Sequence, residues 1–173
     1  MNRETSKFRH IFLPYCLGDG LDIGYGTDPI TKTAITIDDT SSWLPPYENS
    51  VAYREMTGLN LKGDARNLRW FKDGKFDYVY SSHTLEDFED KESLLTEWLR
   101  VLKIGGYLML LLPDEQRYRL FEKTLNPCHK DADFSLVKLR PLLLKLGLEI
   151  VLEQDRLQHK DGDYNFAIVA RKI

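Results

Sequence analysis

Apolar positions along this chain alternate between short β-type runs and longer stretches at helical spacing. Leu21 and Ile23 form a brief apolar run that closes on Gly24-Tyr25-Gly26, and Ile35 and Ile37 form a second that closes on Asp38. Only residues 27–34 separate them. A crossover helix with its loops needs about a dozen residues or more, so any helix here is a turn or two. Ser41–Asn49 carries Pro45-Pro46 and reads as loop, Val51–Met56 as a short helix, and Leu59–Leu61 as a third strand leaving through Lys62-Gly63-Asp64-Ala65. Phe76–Tyr80 is a fourth strand and stops at Ser81-Ser82-His83.

Leu94, Leu95, Trp98, Leu99, Val101 and Leu102 recur at helical spacing, which predicts a helix over Lys91–Lys103, capped by Asp90 and stopped by Gly105-Gly106. Tyr107–Leu112 is continuously apolar, as a parallel strand buried on both faces requires, and Pro113-Asp114 ends it. A further helix is expected from Asp133 or Ser135 to Leu146, closed by Gly147, with Pro141 as a conflict inside it. Leu148–Leu152 and Tyr164–Ala170 are the last two strands, and their short connection makes them antiparallel. The expectation is an α/β fold with a Rossmann-like, seven-stranded, mostly parallel sheet. Its last strand is antiparallel, helices cover both faces, and the first crossover is shortened.

At 173 residues the chain is long enough to bury a core within one domain, 1–173, with residues 1–16 as a lid or extra helix. Twenty-four basic against 27 acidic residues leave a formal net charge of -3, no footprint for nucleic acid or an anionic membrane. Cys16 and Cys128 have no CxxC spacing and read as reduced thiols, and the N-terminal stretch has neither signal-peptide nor transmembrane character, so a cytoplasmic location is expected.

The strand–glycine turn–strand–acid order of residues 20–38 looks like a nucleoside-cofactor site. Gly24 and Gly26 allow positive φ and close approach of a ligand, and Asp38, with Asp39 as its competitor, stands where ribose hydroxyls are held. The third glycine of the dinucleotide fingerprint is missing, because Asp28-Pro29 occupies that stretch, which argues against a diphosphate cradle.

Taken in order, Leu21-Asp22-Ile23-Gly24-Tyr25-Gly26, Asp38, Gly63-Asp64-Ala65, Phe76–His83 with Leu85-Glu86, and Arg100–Leu108 with Pro113-Asp114 resemble the class I S-adenosylmethionine-dependent methyltransferases over roughly Leu17–Lys172. The compact first crossover resembles a branch associated with sugars or surface glycans. The resemblance implies S-adenosylmethionine as cofactor. It also implies Gly24 and Gly26 beside its methionyl part, Asp22 balancing the ammonium directly or through water, Tyr25 covering it, Asp38 on the ribose, Asp64 and Ala65 at the adenine, and Ser81, Ser82 and His83 near the methyl group. The expected reaction is in-line methyl transfer to a hydroxyl of a small molecule or glycan, with the oligomeric state open.

A hydroxyl acceptor makes a proton acceptor useful, and the candidates are His83, His129 and Asp87. Asp87 departs from the family pattern, in which His commonly follows Leu-Glu. His83, Glu86 and Asp87 also have a spacing that converges on a cation in a helical turn, but a solvated acidic helix start is the plainer reading, and no metal is expected. Two rivals remain at this stage: a silent cofactor-binding module of the same fold, and a nicotinamide-dependent dehydrogenase.

Overall fold

The computed structural model describes residues 4–26, 28–39, 60–124, 126–160 and 162–173. The expected loop Ser41–Asn49 and helix Val51–Met56 lie outside them. In chain order the elements are α1 (Glu4–Phe12), β1 (Gly20–Ile23), β2 (Ile35–Asp38), β3 (Asn60–Lys62), β4 (Phe76–Ser82), α2 (Lys91–Val101), β5 (Leu102–Pro113), α3 (Glu115–Glu122), α4 (Leu136–Lys145), β6 (Leu148–Gln154) and β7 (Asn165–Lys172). Short 3-10 turns follow α1 and precede α2, the second of them at Leu85–Asp87.

All seven strands join one sheet in the order β3-β2-β1-β4-β5-β7-β6. The β1–β5 pairings are parallel, and β7 runs antiparallel to both β5 and β6. The order reverses at β1 and β4, so the C-terminal ends of β1, β2 and β4 open onto a common crevice, where ligands of open α/β sheets bind.

Side-chain alternation splits the core in two. Val79, Leu108, Leu110 and Leu112 pack with Trp98 and Leu95 of α2 and Leu139 and Leu143 of α4, whereas Tyr78, Tyr80, Met109 and Leu111 pack with Phe8 and Phe12 of α1. The N-terminal helix is therefore an integral layer of the sheet. It is also tied electrostatically: Asp28, in the short crossover, accepts from the Ser6 amide (2.6 Å), the Ser6 hydroxyl and the Arg9 guanidinium (2.8 Å).

Asp90 caps α2 as expected, accepting from the Ser93 amide at 3.0 Å. The helix ends at Val101 rather than Lys103, because Leu102 is already extended and pairs with Phe76 at the start of β5. Gly105-Gly106 lie inside β5, where its register to β4 shifts between Phe76 and Tyr78, and do not stop the helix. Helix α4 accommodates Pro141. Helix α3 had no forecast: Asp114 caps it by accepting from the Arg117 amide at 3.0 Å, and Glu115 is its buried residue.

Candidate functional site

The turn after β1 forms one wall of a cleft of about 360 Å³. Its geometry is imposed by both glycines. Gly24 has φ +70°, and a Cβ there would lie 1.9 Å from Thr84 Oγ1; Gly26 has φ +56°, and a Cβ there would meet nothing within 4 Å. The Gly24 amide donates to Ile37 O (2.8 Å) and the Gly26 amide to Asp38 Oδ2 (2.8 Å), which locks the turn to the end of β2. Asp38 and Asp39 both line the cleft.

Asp22 is fully buried and stands behind the turn, outside the cleft lining. Its Oδ2 accepts from the Ile30 amide at 2.7 Å, while Oδ1 is buried without a partner. Burial pushes its carboxyl up to about 8, against the opposing pull of the Ile30 hydrogen bond.

The floor is Gly63-Asp64-Ala65. Trp98 Nε1 donates to Ala65 O at 2.9 Å, and the Arg100 guanidinium donates to Phe71 O (2.9 Å) and Leu68 O (3.1 Å), so α2 holds this loop from beneath. Asp64 is gripped by Arg66, through its amide at 2.8 Å and its guanidinium at 2.7 Å, and that pairing holds the carboxyl below the usual range. A ligand amino group would compete with Arg66 for it.

Three expected cleft residues lie elsewhere. Tyr25 is buried and does not line the cleft. Ser81 is a strand tie, donating to Ile23 O at 2.8 Å, and Ser82 is buried beside it, because both belong to β4 and not to its exit turn. His83 does line the cleft, at φ 51°, as does Thr84, whose hydroxyl donates to Ser82 O at 3.2 Å.

A second cavity, of about 440 Å³, adjoins the first, and His83, Asp87 and Cys128 line both. Around it runs a buried polar chain. Asn165 Nδ2 donates to Glu4 Oε2 at 2.8 Å, so Asn165 Oδ1 accepts from His83 Nε2 at 2.8 Å. His83 Nδ1 is left facing Glu86 Oε1 at 3.5 Å. Asn126 Nδ2 lies 3.0 Å from His129 Nε2 and donates to it, so His129 Nδ1 donates to Glu115 Oε2 at 2.6 Å. Glu86 Oε1 also lies 3.9 Å from His129 Nε2.

Both nitrogens of His129 and Nε2 of His83 are therefore hydrogen-bonded, while His83 Nδ1 is not. Burial holds His83 neutral, pushing it down to about 4. Glu86 is 1% exposed, with neither carboxylate oxygen hydrogen-bonded, and burial raises it well above the ordinary range, with the charge of Asp87 adding to the effect. Glu86 is thus not solvated, contrary to the plainer reading of the sequence, while Glu89 and Asp90 are exposed at the start of α2. Among the described residues no group of three His, Cys, Asp or Glu side chains is placed to hold a metal ion.

The sequence reading passed over Glu4, Thr84, Glu115, Asn126 and Asn165. Thr84 and Glu115 adjoin recognised motifs; the Asn165–Glu4 contact spans 161 positions and leaves no local signal.

A crevice at the strand-order reversal, walled by two positive-φ glycines with an acid at the end of β2, is the arrangement of a Rossmann-like α/β fold. Residues 21–110, just over half of the chain, match the methyltransferase domain family, and the chain belongs to it. The family displaces the dehydrogenase reading. An uncharacterized protein of Methanocaldococcus jannaschii is 29% identical over 140 residues, 76% of this chain and 65% of that protein, so the chain spans about two thirds of its curated relative. A Pyrococcus horikoshii protein is similar in structure (TM-score 0.77, 17% identity, 98% of this chain and 89% of that one). So is a SAM-dependent methyltransferase from Archaeoglobus fulgidus (TM-score 0.71, 21% identity, 99% and 95%). Among the described residues no helix is long and apolar enough to cross a membrane.

Proposed function

We propose that the chain methylates a hydroxyl of a small molecule, or of a sugar at the end of a glycan, with the donor in the glycine-walled cleft and the acceptor in the adjoining cavity. The observation that carries this reading is the wall of His83, Asp87 and Cys128 common to both spaces. Methyl transfer is an in-line displacement that needs donor and acceptor sites meeting at one point, shielded from water.

The cleft suits S-adenosylmethionine. Gly26 leaves open space where a side chain would stand, and Asp22 is buried behind the turn with Oδ1 making no hydrogen bond. Gly24 and Gly26 would pass along the methionyl part, Asp38 would accept from the ribose hydroxyls, and Ala65 with Gly63 would lie under the adenine. The sulfonium supplies an activated methyl group with a neutral thioether as leaving group. The protein's work is then to orient the acceptor and take its proton. His129 Nε2 already accepts from Asn126, and His83, whose Nδ1 lone pair faces Glu86, is made a weak base by burial, which pushes it down to about 4. Asp87 Oδ1 makes no hydrogen bond and burial raises its carboxyl, so Asp87 is the proton acceptor. The histidines shape the cavity and position its polar chain.

Calorimetry with S-adenosylhomocysteine and with NAD tests the cleft. Binding of the first and not the second is expected, and a preference for NAD would sink the proposal. Methyl incorporation across sugars, sugar nucleotides and small phenols tests the acceptor class; modification confined to nitrogen or carbon would rule out a hydroxyl acceptor.

A further inference from the structure

The second cavity has an electrostatic character that methyl transfer to a plain hydroxyl leaves unexplained. Four carboxylates line it, Glu4, Glu86, Asp87 and Glu122, and no lysine or arginine does among the described residues. Glu4 is neutralised from behind by Lys7 at 2.7 Å. Glu122, on the last turn of α3 and partly exposed, has no ion pair among the described residues, and Asp87 Oδ1 is buried without a hydrogen bond. Glu86 makes the independent case. A carboxyl 1% exposed, lining a cavity with neither oxygen hydrogen-bonded, is a buried polar group left without a partner by the described residues. Tyr118 and Tyr164, whose rings meet edge to face at 5.2 Å, supply aromatic wall on the same side.

Acidic side chains beside aromatic faces in a concave space form a receptor for a small organic cation. We propose, building on the methyl-transfer reading above, that the acceptor is a hydroxylated amine, an amino alcohol or amino sugar. Its ammonium is held by Glu122 and Glu86 against the two tyrosine rings, while its hydroxyl is presented to Asp87 at the wall shared with the cleft. The two ends of the acceptor are thus recognised by different chemistry. A neutral sugar would leave the buried acids unpaired, and an anionic acceptor, such as a sugar phosphate, would be repelled.

The test is calorimetry on the full chain saturated with S-adenosylhomocysteine, at pH 7, using matched probes: glucosamine against glucose, ethanolamine against ethylene glycol, and tyramine against 4-ethylphenol. The amine is expected to bind at least about 10-fold more tightly than its neutral partner in one or more pairs. Glu122→Gln should abolish that preference and leave S-adenosylhomocysteine affinity unchanged, and Glu86→Gln should reduce it likewise. No preference in any pair, no binding of any probe, or a preference that survives Glu122→Gln overturns the proposal. Because the donor analogue is measured separately, its failure to bind would instead count against the methyltransferase site itself. Methyl transfer to a neutral probe with no amine preference would retain that site and reject the cationic acceptor.

Discussion

Asp87 sits on the wall common to both cavities, with Oδ1 out of reach of any donor, and Lys91, Lys130 and His129 nearby pull its carboxyl down less than burial pushes it up. A carboxylate with a raised proton affinity is a stronger base than an exposed one and must be ionised to act. Asp87→Asn keeps the size and removes the basicity, so kcat should fall about 100-fold or more while S-adenosylhomocysteine affinity stays within about 2-fold. The rate in the native protein should climb with pH through the raised carboxyl, and that limb should be missing from the residual activity of the variant. An unchanged kcat with the limb intact would remove Asp87 from the chemistry. The residue was visible in the sequence only as a departure from the family pattern. Its importance depends on His129, Tyr118 and Tyr164 closing a cavity around it, and those come from segments with no sequence motif in common.

At the scale of elements, the glycine turn makes a sharper test, because its two glycines are constrained by different things. Gly24→Ala would put a Cβ 1.9 Å from Thr84 Oγ1 at φ +70°, so the turn or the Ser82–Thr84 exit must move, at a cost of about 2 kcal/mol or more of stability. Gly26→Ala meets no atom of the described residues within 4 Å at φ +56° and should cost only about 1 kcal/mol, yet it fills the open side of the cleft. Urea denaturation should therefore rank Gly24→Ala as the less stable variant, while calorimetry should show at least a 10-fold loss of S-adenosylhomocysteine affinity for Gly26→Ala in a folded protein. Retained affinity in Gly26→Ala would mean that the ligand does not run along this turn. The turn, the succession of strands and the antiparallel end of the sheet were legible because short apolar runs and glycine punctuation are local signals. The end of α2 was not, since Leu102 is recruited into β5 by pairing with Phe76, a long-range event that overrides helical spacing. Helix α3 was hidden for another reason. Its sequence EQRYRLFE carries no apolar stripe, and the residue it buries is the acid Glu115, so the feature that docks it is a polar contact to His129 and not a hydrophobic face.

Across the whole molecule, buried titratable groups on both sides of the sheet link stability to pH in opposing directions. Asp22 is raised from 3.8 to about 8, and Glu86 and Asp87 are raised as well. Each binds its proton more tightly folded than unfolded, so each contribution is complete at low pH and is lost as pH rises through the folded value. His83 is lowered from 6.5 to about 4, so the unfolded chain binds the extra proton and stability is gained as pH rises across that interval. Below about 6.5 the two effects offset each other; above it His83 has finished titrating and only the carboxyls remain. Stability measured by urea denaturation should therefore fall between pH 6.5 and 8.5, by about 2 kcal/mol from Asp22 alone. Asp22→Asn can still accept from the Ile30 amide while removing the ionisable group, so it should flatten this limb without unfolding the protein. An equally steep limb in the variant would place the titration elsewhere, with Glu86→Gln as the next comparison. The same linkage connects stability to ligand. A cation settling in the acid-lined cavity favours ionised carboxylates, so a bound amine should stabilise the fold more at pH 8 than at pH 6.5, whereas a neutral diol of the same size should not.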